Sequence, residues 1–357
     1  MKNNKNRIVL LVVLLALAAL IWFGRGRIHA FNWSVFVRQL HQADWKLFAV
    51  AIGLIWLGYL LRAVRWAVLM RPAKHVQPLS IFGSQVIGFT AVALLGRPAD
   101  LVRPYLVARR TGTSIASQIG VYTVERMFDF GSIAFIFSIF LLFGPAHGLP
   151  DPERIHHAAL AGLLATAVLA GFAAFARISG HRAAAFAERL FGSFSPRIGA
   201  AVADKVLAFR EGLSAISSPL DFLFSLVVSL VMWAMIAGAY LETAHAFTAS
   251  PALAALTISQ CMLLMAGSMA SSTLQLPVVG WFTQIAFNAA LIQLFFAASP
   301  ESALACGAML LVDTFMSVIP LGIIWLRVEG VSLRKVTAES EHAGDQAAHS
   351  KVSTQEA

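Results

Sequence analysis

Apolar residues in this chain run in long blocks, at 8–23, 45–70, 79–95, 119–143, 158–175, 222–241, 253–276, 285–298 and 303–326. Polar residues gather between the blocks or in a few tight clusters. A helix of about 20 apolar residues crosses the hydrocarbon core of a bilayer. It also satisfies its own backbone hydrogen bonds there, which an isolated strand does not. The pattern therefore predicts an all-α, polytopic membrane helix bundle.

Composition supports this. The chain is 58% hydrophobic and 13% charged, with a mean hydropathy of +0.74. A soluble domain carries about a quarter charged residues. The formal net charge of +9 is not read as a nucleic-acid signal, because excess Lys and Arg in a membrane protein marks cytoplasmic loops and anionic headgroups. Lys2, Lys5 and Arg7 place the N-terminus in the cytoplasm. The block at 8–23 is followed by Gly24, Arg25, Gly26 and Arg27, a poor cleavage neighbourhood, so it reads as an uncleaved first helix. Residues 144–157 carry Asp151, Glu153 and only Arg154, and are expected outside. Residues 177–218 carry six Lys/Arg (177, 182, 189, 197, 205, 210) against three acids (188, 204, 211). They read as a cytoplasmic linker, and Phe186, Leu190 and Phe191 suggest helices lying on the membrane surface there. From residue 327 the chain is polar and mixed in charge, and is expected to be a disordered tail. The expected organisation is a membrane domain over 1–326, with halves at about 45–176 and 219–326 around the linker. The expected location is the cell's inner membrane.

Each half has a long block, then a Gly/Ser-containing block that breaks at a proline, then two more. The first break is Gly96-Arg-Pro98, the second Pro277 to Gly280. Interrupted segments at matching places in two halves point to a midplane site in transporters. The first long block is expected to run inward and 222–241 outward, so the halves are inverted, with broken or re-entrant helices; one solution makes 79–110 a re-entrant hairpin entering and leaving from the cytoplasm. Seven crossings follow if 253–276 is re-entrant, and eight if Arg327, Arg334 and Lys335 hold the tail inside.

Candidate chemistry concentrates at the first break. Arg97, Asp100 and Arg103 are spaced i, i+3, i+6, which on a helix forms one polar stripe with Asp100 in reach of both arginines. The next block contains Glu125, Arg126 and Asp129, with the two acids at i, i+4. From 97 to 129 there are five arginines (97, 103, 109, 110, 126) and three acids (100, 125, 129), a surplus of two positive charges. Charges at membrane depth are costly and mark substrate or ion paths. A phosphate headgroup matches such a surplus, because the Arg fork binds phosphate bidentately. These six groups are expected to converge on one cavity. Arg62 and Arg65, late in the 45–70 block, read first as snorkelling toward headgroups. The chain has no His-Glu-x-x-His, no phosphate-cradling Gly loop and no Gly-x-Ser-x-Gly, so neither enzyme activity nor a cofactor is expected. Cys261 and Cys306 read as packing residues. His156, His157, His181 and His245 lack metal-ligand spacing.

The motifs at 95–105 and 122–129 resemble those of the flippase-like transmembrane family related to the membrane domain of lysylphosphatidylglycerol synthases. Leu95-Gly-Arg97-Pro-Ala-Asp100-Leu-Val-Arg103-Pro104-Tyr is similar to that family's Arg-x-Gly-Glu-x-x-Arg-Pro stretch. Tyr122-Thr-Val-Glu125-Arg126-Met-Phe-Asp129 is similar to its Glu-Arg-x-x-Asp motif. Gln275-Leu-Pro277-Val-Val-Gly280 falls at its Pro/Gly-rich break. Asp100 stands where the family usually has Glu, Ala99 where it has Gly, and Gln284 where an acid is common. The resemblance covers about residues 8 to 326. It implies a lipid flippase or transporter that moves a polar, anionic lipid between leaflets, with membrane lipid as its partner. The alternative it implies is a non-transporting membrane partner of a lipid-modifying or glycosyl-transferring enzyme. Aminoacyl transfer is not expected, since it needs a soluble synthase domain and the segment after Leu326 is short. The candidate substrate-binding set is Arg97, Asp100, Arg103, Glu125, Arg126 and Asp129, joined by Arg62, Arg65, Gln275, Pro277, Gly280 and Gln284.

Overall fold

The computed structural model describes residues 31–145, 149, 151–193, 218–271 and 279–333, with single residues between 195 and 206 and between 336 and 340. The block at 8–23, Gln275 and Pro277 lie outside the described residues, as does everything beyond Ser340. All the regular secondary structure among the described residues is helical, without strands.

The elements begin where the sequence supplies caps. Helix α1 (Trp33–His41) opens at Asn32, whose side chain accepts from the backbone amides of Ser34 and Val35. Helix α2 (Trp45–Leu69) opens at Asp44, and α3 (Pro78–Leu95) at a proline whose missing N–H costs nothing in a first turn. Gly96, at φ 79°, ends α3 in a conformation that disfavours any side chain. A 3₁₀ turn (Arg97–Leu101) then leads into α4 (Val102–Thr111). Ser114 caps α5 (Ile115–Phe143), which therefore starts four residues before the apolar block. Helices α6 (Pro152–Ile178) and α7 (Gly180–Gly192) follow, and Phe186, Leu190 and Phe191 of α7 are exposed.

The second half starts with α8 (Pro219–His245), opened by Ser218 and Pro219. The 253–276 block is interrupted at 255–257, which separates the single turn α9 (Pro251–Ala254) from α10 (Ile258–Ser271); the next described helix is α11 (Val279–Phe296). The last apolar stretch is α12 (Pro300–Leu311), a π-helical turn (Val312–Met316) and α13 (Val318–Val328). Among the described residues, five stretches are long and apolar enough to cross a membrane: α2, α3, α5, α8, and the run from Pro300 to Val328.

The halves meet along α2 and α8. Phe48 stacks edge-on against Phe247 at 5.6 Å, Gly58 faces Met232, Arg65 reaches Ser229, and Arg71 pairs with Asp221. Numbers rise on one helix as they fall on the other, so the two half-opening helices are antiparallel, as inverted halves require. Helices α3 and α13 are also antiparallel, with Thr90 Oγ1 donating to the Val318 carbonyl and Phe82 against Trp325. Beyond α13, Arg110 pairs with Glu329 at 2.8 Å, Tyr105 donates to Glu339 at 2.7 Å, and Val336 is buried among Ala99, Val102 and Leu106. These contacts involve part of the tail expected to be disordered from 327, and residues 341–357 lie outside the described ones.

Helices α3 and α4 fold back on each other as a hairpin, and Gly88 lets them close. A Cβ there would lie 2.3 Å from Arg103 Cγ and 3.0 Å from its Cα. In the second half Gly267 of α10 faces the side chain end of Leu291 on α11, a contact with a flexible side chain rather than with backbone. Gly88→Ala should therefore lower the thermal unfolding midpoint in detergent, at a cost of about 1–3 kcal/mol for overpacking. Gly53→Ala, with open space around it, should leave the midpoint unchanged or raise it slightly. Equal behaviour of the two variants would refute the close α3–α4 contact.

Candidate functional site

Helix periodicity puts Glu125 and Asp129 on one face of α5, and both are buried. Opposite them α2 brings Arg62 and Arg65, three residues apart and so on one face of that helix. Arg65 bridges the two acids, Nη2 to Glu125 Oε1 and Nη1 to Asp129 Oδ1, each at 2.8 Å. The side chains of Arg65 and Glu125 are 0% exposed. Arg103, from α4, places Nη2 2.8 Å from Glu125 Oε2. Arg126 Nη2 lies 2.8 Å from Asp129 Oδ2 and 3.3 Å from Glu125 Oε2. Arg62 Nη1 approaches Asp129 Oδ2 at 3.4 Å.

Each of the four carboxylate oxygens thus has a guanidinium partner, yet four arginines face two acids and two positive charges remain. Donors remain too. Arg65 Nε, Arg126 Nε and Gln85 Nε2 are buried without a partner among the described residues. Aromatic faces hold the planes of the guanidinium groups, with Arg103 4.4 Å from the Phe89 centroid and 5.0 Å from that of Trp66, and Arg62 5.2 Å from Phe89. Trp66 is itself fixed by a 2.8 Å bond from Nε1 to Gln118 Oε1.

A cavity of about 250 Å³ opens beside this network. Arg62, Asp100, Arg103 and Arg126 line one side; Tyr240, Ser268, Gln284 and Thr314 line the other. Its walls therefore come from both halves. Helices α11 and α3 also meet directly, since Trp281, near the start of α11, donates from Nε1 to the Ala93 carbonyl of α3 at 3.0 Å.

Of the residues singled out by the sequence, Arg62, Arg65, Arg103, Glu125, Arg126 and Asp129 form one connected network. Asp100 is half-buried at the cavity edge, and Gln284 lines the cavity with Oε1 unpartnered among the described residues. Gly280 is buried in the first turn of α11. Arg97 begins the 3₁₀ turn, but its side chain lies outside the described residues, as do Gln275 and Pro277.

Two expectations are corrected. The snorkelling of Arg62 and Arg65 is not seen, because two acids on α5 offer a closer and drier partner than the headgroups do. The Arg97–Asp100–Arg103 stripe is not a continuous α-helix, because Pro98 and the 3₁₀ geometry interrupt it, and Arg103 pairs across to Glu125. Sequence reasoning missed Trp233, whose Nε1 donates to Asp129 Oδ1 at 3.3 Å, and Gln85, which accepts from Arg103 Nη1 at 3.3 Å. A Gln within an apolar block was the available signal for Gln85; Trp233 had none. Among the described residues no three of His, Cys, Asp and Glu gather to hold a metal.

An all-helical bundle with several membrane-length helices, and a buried ion network around a cavity between its halves, defines a multi-pass membrane protein. The chain belongs to the family described as the lysylphosphatidylglycerol synthase TM region, whose profile matches residues 8–324. Its place there ties it to membrane lipid metabolism. No curated protein and no solved structure matches it.

Removing Arg65 takes a 2.8 Å guanidinium partner from both buried acids, Glu125 Oε1 and Asp129 Oδ1, so Arg65→Met should destabilise the protein by about 3–5 kcal/mol, the cost of breaking a buried pair. Arg189→Ala, on the exposed face of α7, should be nearly silent. Thermal unfolding of the purified variants in detergent reads the difference, and an unperturbed Arg65→Met would contradict the network.

Proposed function

We propose that this protein is a lipid flippase or transporter that moves a polar, anionic lipid between membrane leaflets. The observation that carries this reading is the positive surplus around a cavity walled by both halves, with Arg62, Arg65, Arg103 and Arg126 against Glu125, Asp129 and the cavity-edge Asp100. A phosphate on the headgroup takes two parallel hydrogen bonds from a guanidinium, and Arg62, Arg103 and Arg126 all face the cavity with donor capacity to spare. Glu125 and Asp129 hold the guanidinium groups in position when no headgroup is bound. Acyl chains stay in the bilayer, so the cavity has only the headgroup to accommodate. Binding from either leaflet needs a site at the junction of two inverted halves. The proposed sidedness is a cytoplasmic N-terminus with the α5–α6 connection outside.

The direct test is purified protein in liposomes with a labelled anionic phospholipid. It should move label between leaflets, and Arg62→Gln should slow that movement by roughly tenfold or more, the worth of one charged hydrogen bond. Arg62 is the informative choice because its one ion pair is long, so its loss disturbs the network least. No activity across a panel of headgroups would favour a non-transporting partner of a lipid-modifying or glycosyl-transferring enzyme.

Cysteine labelling tests the sidedness. Cys261 and Cys306 are buried, so background reaction is low. Cysteine introduced at the exposed position Glu153 should react with a membrane-impermeant reagent from outside only. Reaction from the cytoplasm would overturn the topology.

A further inference from the structure

The second half holds an acid that the anion site does not use. Asp313 lies in the π-helical turn between α12 and α13 and is 0% exposed. Its place mirrors that of the first-half acids. Glu125 and Asp129 on α5 face α2, the helix that opens their half; Asp313 faces α8, which opens the other. On α2 the acids meet arginines. On α8, a helix without Lys or Arg, Asp313 meets Thr243, and no cation pairs with it among the described residues. The elements around the turn carry Tyr59 (α2), Thr90 (α3), Tyr240 (α8) and Cys306 (α12). Their side chains are uncharged at neutral pH. The charged groups on the cavity that Thr314 also lines are Arg62, Asp100, Arg103 and Arg126.

The hydrogen bonding around Thr243 identifies what neutralises the acid. Thr243 Oγ1 lies 2.7 Å from the Ala239 carbonyl and 2.8 Å from Asp313 Oδ2. A hydroxyl has one proton to donate. Both contacts are filled at once only when Asp313 carries a proton of its own and donates it to Thr243 Oγ1. Asp313 Oδ1 has no partner among the described residues, which as a carboxylate oxygen would be a bare charge in a dry interior. The π turn supports a special role, since such turns recur at functional sites.

We propose that Asp313 is a proton-binding site, and that its proton occupancy drives the transport cycle. The step is simple protonation: the carboxylate takes a proton from water or hydronium of one compartment and returns it to the other, with no electron transfer. Asp313 sits one residue behind Thr314 in the wall of the headgroup cavity, so gaining or losing charge there changes the field across the cavity and the packing of the π turn. The coupling rests on the flippase reading; the proton site does not.

Infrared difference spectroscopy of the purified protein across a pH titration tests the site without requiring transport. At neutral pH the wild type should show a protonated-carboxyl C=O band that Asp313→Asn abolishes, and Thr243→Val should change the pH at which that band disappears. Absence of such a band in the wild type would overturn the proton site. The coupling is tested in liposomes by the ratio of lipid movement with and without an imposed pH gradient. The wild type should respond to the gradient, whereas Asp313→Asn should not. A full gradient response in Asp313→Asn would overturn the coupling. A wild type that moves no lipid would sink the flippase reading and the coupling together, leaving the band to judge the proton site.

Discussion

The structure depends on one guanidinium. Arg65 is wholly enclosed, with Glu125 on one nitrogen, Asp129 and Ser229 on the other. Burying a charge costs several kcal/mol per ion, even after the protein relaxes, unless geometry and hydrogen bonds return it. Here the return requires three helices in register. Four residues separate the two acids, one turn of α5, so both reach the same fork. Ser229 ties the arrangement to α8. A shift of α5 by one residue would rotate the acids away from α2 and leave charge stranded. The network therefore fixes how α2, α5 and α8 sit, and Arg103 adds the α3–α4 hairpin to the same assembly.

That constraint has a consequence for the cavity. Because each carboxylate oxygen is already engaged, the remaining positive charge is structural rather than accidental: it cannot be cancelled by any acid of the network. The aromatic rings of Phe89, Trp66 and Trp233 keep the guanidinium groups oriented without neutralising them. The second half supplies the opposite character, with the neutral polar groups of Tyr240, Ser268, Gln284 and Thr314. Across the cavity the two halves differ in charge. The first half is arginine-rich, and the second buries Asp313 without a cation partner among the described residues.

Much of this was legible in the chain. The apolar blocks mark the helices, and Glu125 and Asp129 at i, i+4 mark a shared buried face. Gly96 and Pro98 mark the break. What stayed hidden was partnership across helices. Arg62 and Arg65 near the end of a block look the same whether they snorkel or pair inward; only the third dimension brings α5 beside them. Arg103 and Asp100 were local neighbours in sequence, yet the 3₁₀ turn sends Arg103 to Glu125 instead. Asp313 was a single acid in an apolar block, and neither its π turn nor the hydroxyl of Thr243 can be read from spacing. Arg97, Gln275 and Pro277 belong to the same motifs, but their side chains lie outside the described residues.

The central claim is that the arginine surplus selects an anionic headgroup. Native mass spectrometry of protein extracted with its lipids tests it most directly. The account predicts that anionic phospholipid stays bound in preference to zwitterionic lipid, and that this preference is lost in a variant combining Arg62→Gln with Arg103→Gln. Equal retention of zwitterionic lipid by the wild type, or an unchanged preference in the variant, would contradict it.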